Sequence, residues 1–98
     1  MNIGKLYKTV FSELSVNLRK TNPNHGSPLR NDPYYTTQQR IHPSDIFMIL
    51  EFESLKRNIL SSYPGPKNDL EEPFVIKVLV NEKIGYIILR DREIREVC

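Results

Sequence analysis

The apolar residues of the first twenty positions fall at helical spacing. In IGKLYKTVFSELSVNLRK, Ile3, Tyr7, Val10, Leu14 and Leu18 recur at intervals of four, three, four and four, one stripe of a 3.6-residue period that Leu6 and Phe11 widen. Arg19 and Lys20 stand where positive charge suits a helix C-terminus. The pattern predicts a first helix over about residues 3–20. A second follows in PSDIFMILEFESLKRNILSSY, with Pro43 at the first helical position and Asp45 in the first turn. Ile46, Ile49, Leu50, Phe52, Leu55, Ile59 and Leu60 give it a broad apolar face, so a central helix over about 43–63 is expected, stopped by Pro64-Gly65-Pro66.

Between the two helices the polarity rises and the turn residues crowd. Asn22-Pro23, Gly26, Ser27-Pro28 and Asp32-Pro33 punctuate a loop over about 21–36. Thr36 and Gln39 have the spacing of a capping box for one short helical turn before Pro43. A loop this long in a small chain is commonly functional or disordered.

After Pro73 the period changes from about four to two. FVIKVLV puts Phe74, Ile76, Val78 and Val80 on one face and Val75, Lys77 and Leu79 on the other; Asn81-Glu82-Lys83 interrupts, and IGYIILR resumes the alternation. Strands are expected at about 74–80 and 84–90, paired as a hairpin, and at about 93–97 in EIREVC. A hairpin needs a covering layer, so the Phe74 face should lie against Ile46, Ile49, Leu50 and Leu55 of the second helix. The fold class read this way is α+β, two helices packed on a small antiparallel C-terminal sheet, with residues 1–98 as one domain.

Composition adds constraints rather than identity. The net charge is +2, yet positions 1–42 carry six basic residues against two acids and positions 43–98 eight against ten. The basic half contains the loop, and mild asymmetry of this kind suits a solvated surface first, and otherwise a face for nucleic acid or an acidic partner. Cys98 is the single cysteine and can close no internal disulfide. With Lys5, Lys8 and Glu13 interrupting the apolar start, no signal-peptide pattern appears, and a cytoplasmic location is expected.

Candidate chemistry is sparse. His25 and His42 have no second histidine at ligand spacing, so no metal and no cofactor is expected. Glu51 and Glu53 flank Phe52, and on a helix they diverge rather than form a carboxylate pair. No phosphate-binding glycine loop and no nucleophile elbow occurs, and no catalytic residue is assigned. The loop region offers a different set: Arg19, Lys20, Arg30, Tyr34, Tyr35, Gln38, Gln39 and Arg40 combine cations, amides and rings, the types that anchor protein interfaces and that also suit single-stranded nucleic acid.

FVIKVLVNEKIGYIILRDREIREVC resembles the ending of the RelE/ParE toxin superfamily, in which antiparallel strands carry basic residues. That resemblance implies an RNA-facing role for Arg90, Arg92 and Arg95. It covers the C-terminal third only, since such toxins begin with a strand and this chain is expected to begin with a helix. HGSPLRNDPYY, followed by a helix and strands, is similar to the baseplate-wedge family of contractile phage tails, without that family's Glu-Pro-Arg signature. The function expected is a non-catalytic binding or inhibitor protein acting on a protein partner, as a phage or mobile-element accessory factor does. Nucleic-acid binding or RNA cleavage through the C-terminal arginines is the alternative.

Overall fold

A computed structural model describes residues 1–25, 37–56 and 72–97. It contains strands β1 (Leu6–Thr9), β2 (Val16–Arg19), β3 (Thr37–Ile41), β4 (Phe47–Ser54), β5 (Phe74–Val80), β6 (Lys83–Leu89) and β7 (Ile94–Glu96), with 3₁₀ turns at Pro23–His25 and Asp91–Glu93. All seven strands join one antiparallel sheet in the order β3-β2-β6-β5-β4-β1-β7, curled into a half-barrel. Among the described residues there is no α-helix, so the expected α+β class is replaced by an all-β one.

The first expected helix is two short strands. Of its stripe only Tyr7 and Leu18 are buried, while Ile3, Val10 and Leu14 are exposed. Within each strand the period is two: Tyr7 and Thr9 point inward between exposed Leu6 and Lys8, and Leu18 points inward between Asn17 and Arg19. Four-residue strands are too short to show alternation in sequence, and their partners are distant. β1 pairs with β4 and β7, and β2 pairs with β3 and β6.

The second expected helix is β4, and a bulge explains the misreading. Ile49 stands opposite Val78 while Glu51 stands opposite Lys77, which leaves Leu50 as an extra residue. The alternation therefore changes phase in mid-strand. Phe47, Ile49 and Phe52 share the inner side at spacings of two and three, which mimics a broad helical face. Asp45 caps no helix; its carboxylate accepts from the His42 backbone N–H at 2.9 Å in a turn before β4. The part of this segment at 57–63 lies outside the described residues, as does Thr36; residues 37–41 form β3 rather than a helical turn.

β5 and β6 form the expected hairpin, with Phe74 opposite Leu89 through to Val80 opposite Lys83. Its two-residue turn, Asn81 and Glu82, has φ of 49° and 66°, as a type I′ turn requires. Ile76, Val78 and Val80 are buried with Ile87 and Leu89, and Phe74 packs against them. The cover is not a helix. The curl of the sheet brings in Leu18, Ile41, Tyr7, Phe47, Ile49 and Ile94 from flanking strands. Phe52 meets Phe74 edge-on, centroids 5.9 Å apart. Ile46 is exposed and Leu50 half-buried. Leu55 packs on the other side of the sheet, in a small outer cluster with Val75 and Ile88.

Candidate functional site

Five of the residues singled out in the sequence gather on the β2–β3 ribbon or at its end. Arg40 stands opposite Asn17 and Arg19 opposite Thr37, which puts both arginines on the outer face, with Lys20 exposed at the end of β2. Gln39 stands opposite Leu18 and so faces inward; its buried Nε2 has no hydrogen-bond partner among the described residues. Gln38 lies within β3. Arg30, Tyr34 and Tyr35 lie outside the described residues.

The C-terminal arginines differ in exposure. Arg90 is buried, its backbone N–H donating to Glu93 Oε1 at 2.7 Å and its guanidinium 3.8 Å from the same oxygen. That pairing closes the 3₁₀ turn before β7. Arg92 and Arg95 are exposed. Arg95 stands on β7 directly opposite Lys8 on β1.

A cleft opens where the ribbon leaves the rest of the sheet. β2 aligns with β6 at Arg19 and Tyr86, and beyond that pair the strands part around a space of about 310 Å³. Phe11, Leu14, Val16, Ile88 and Leu89 line it, with Arg19 and Glu93 as its charged members. Leu14 is 65% exposed. An apolar cleft between two parting strands suits an extended segment whose backbone can pair with the strand edges. Leu14 and Phe11 were legible only as members of a helical stripe, so the sequence concealed this site.

A second feature on the outer face is a folded anchor made by the start of the expected loop. The Asn24 side chain, itself buried, donates to the Ser54 carbonyl and accepts from the Lys56 N–H, both at 2.9 Å. One amide thus continues the edge of β4 as a strand would. Asn22 Oδ1 accepts from the Asn24 N–H at 2.9 Å, and Asn22 Nδ2 donates to Glu53 Oε1 at 3.0 Å. His25 Nε2 lies 3.6 Å from the same carboxylate oxygen. The side-chain amides of Asn24 and then Asn22 lower the Glu53 carboxyl from its ordinary value, helped by His25 and Lys56, against an opposing effect of burial that is larger than either of these two cations' contributions.

On the strand Glu51 and Glu53 point to the same side, contrary to the helical expectation. Both line a shallow recess of about 140 Å³ with His25, Lys77 and Tyr86. His25 and Glu53 are 65% and 47% exposed, so water screens the pair and it serves as a surface latch. Among the described residues no group of three or more His, Cys, Asp or Glu side chains could hold a metal ion. No protein-family model, curated protein or solved structure matches this chain.

Proposed function

We propose that the protein is a non-catalytic binding protein that takes an extended apolar segment of a protein partner into the cleft between β2 and β6. The observation that carries this reading is the parting of two neighbouring strands after the Arg19–Tyr86 pair, around a space lined by apolar side chains. Strand edges supply main-chain hydrogen bonds and the side chains supply selectivity. Arg19, Lys20 and Arg40 beside it favour acidic residues flanking the bound segment.

The second reading, nucleic-acid binding, draws support from the exposed like-charged pair of Lys8 and Arg95, with Arg92 nearby in sequence. Affinity capture from a cell extract with and without nuclease separates the two. A protein retained by the wild-type chain, indifferent to nuclease and lost with Leu14→Asp, is the expected outcome. Retention that disappears with nuclease or with moderate salt, and ignores Leu14→Asp, overturns it, because phosphate contacts weaken steeply as salt rises.

A further inference from the structure

The outer face of the sheet carries an apolar row that crosses four strands. Leu6 stands opposite Met48, Met48 opposite Leu79, and Leu79 opposite Ile84. Leu6, Leu79 and Ile84 are 43%, 37% and 55% exposed, and Met48 is half-buried. The solvent side of an antiparallel sheet is ordinarily polar. A contiguous apolar row there marks an interaction surface.

We propose that the occupant is a second copy of this chain, related by a two-fold axis that runs along the strands between β4 and β5. Such an axis lays β4 on the partner's β5 and β1 on the partner's β6. Met48 then meets the partner's Leu79, and Leu6 meets the partner's Ile84, so the row covers itself.

The charges beside the row select this arrangement. Past the bulge, three positions along β4 and two along β5, Glu51 stands opposite Lys77; both line the recess that Asn22 and His25 also line and stay outside the contact. On the other flank Lys8 comes to lie over the partner's Glu82. Lys8 faces Arg95 across β1 and β7, and directly opposed like charges are unfavourable in a sheet. Neither makes an ion pair among the described residues. Glu82 is the complementary oddity: it holds φ of 66° at a turn position where glycine is the unstrained choice. An acid kept there at a conformational cost is accounted for by a cation across the interface.

The contact is small. A few side chains a side fall short of the roughly 800 Å² per partner of a standard interface, so the dimer is weak and depends on concentration. It leaves the β2–β6 cleft open, because Ile88 lies four residues beyond Ile84, roughly 13 Å at about 3.3 Å per residue.

Sedimentation velocity on the full chain, from about 10 μM to about 1 mM at low salt, tests the proposal. A monomer–dimer equilibrium is expected, with the dissociation constant raised at least about tenfold by Ile84→Lys. Lys8→Glu and Glu82→Lys should each weaken the dimer, and the double reversal should return it to within about threefold of wild type. Within one chain these two residues are three strand spacings apart, roughly 14 Å at about 4.8 Å each, so recovery reports contact between copies. A chain monomeric throughout, a dimer indifferent to Ile84→Lys, or a double reversal as weak as its two parts combined overturns it. The charge reversals decide the matter even if an apolar substitution perturbs the fold, which circular dichroism of each variant monitors.

Discussion

Arg19 on β2 stands directly opposite Tyr86 on β6, and among the described residues this is the one aligned pair that joins the β2–β3 ribbon to the other five strands. The ribbon is otherwise held by the inward side chains Leu18 and Ile41, both fully buried. A unit attached by a short ladder and a few core contacts opens at lower cost than the centre of the sheet. Amide hydrogen exchange should therefore be faster in Val16–Arg19 and Thr37–Ile41 than in Phe74–Val80. Equal protection in the two regions would show that the parting of β2 from β6 does not weaken the ribbon.

Asn24 is the next point of leverage. Its buried amide serves the Ser54 carbonyl and the Lys56 N–H together, so Asn24→Ala leaves a buried donor and acceptor unpaired. The expected loss in urea unfolding is roughly 1–3 kcal/mol. Asn24→Asp keeps the acceptor and loses the donor, and should fall between wild type and the alanine variant. A loss smaller than the effect of a neutral surface substitution would mean that water replaces both bonds.

The register of β5 separates two neighbouring positions. Ile76 is fully buried and Leu79 is more than a third exposed. Ile76→Ala should cost roughly 2–5 kcal/mol, as large-to-small changes in a packed core do. Leu79→Ala, measured on dilute protein, should cost under about 1 kcal/mol. A reversed order would show the strand turned over, since a slip of one residue exchanges the faces.

Glu82 holds a left-handed conformation at φ 66°. Glycine adopts it without steric cost, so Glu82→Gly should raise the stability of dilute, monomeric protein by roughly 0.5–1 kcal/mol. The readout is the thermal midpoint at low concentration. The same substitution should weaken self-association, and a variant that is both less stable and equally dimeric would contradict both accounts of Glu82.

Glu53 sets a pH dependence. Its carboxyl titrates lower in the folded chain than its ordinary value of 4.5, through Asn24 first and then Asn22. The unfolded chain therefore binds its proton more readily, and the contribution to stability is present above about pH 4.5 and fades as pH falls through the folded value. The stability difference between wild type and Glu53→Gln should shrink on acidification across that window. A difference that is constant from neutral to acidic pH would remove Glu53 from the latch.

The C-terminal strands were legible because each is seven residues long and alternates without interruption, and because their partner follows after two turn residues. Tyr7 and Leu18 read in sequence as apolar anchors of a single helix. β1 and β2 span four residues each, and their pairing with β4, β7, β3 and β6 is a property of distant chain segments that no local period records. β4 was lost to the bulge at Leu50, which shifts its alternation in mid-strand. The candidate site has the same cause: the sequence offers Arg19, Lys20 and Arg40 as partner-binding residues flanking a loop, while the apolar cleft formed by Phe11, Leu14 and Ile88 exists only once β2 and β6 are neighbours.

Local sequence is enough for the β5–β6 hairpin and its faces, since alternation and a two-residue turn are encoded within sixteen consecutive positions. The same holds for the turn at Asn22-Pro23, through fixed φ and a side chain that bonds the backbone two residues on. That the cover of the hairpin is the rest of one curled sheet rather than a pair of helices follows from pairings between remote segments. A short strand gains its stability from hydrogen bonds and side chains of remote partners, so its own residues carry little of the information that places it. For the same reason the apolar row of Leu6, Met48, Leu79 and Ile84 appears nowhere as a sequence motif: three pairings between four strands assemble it.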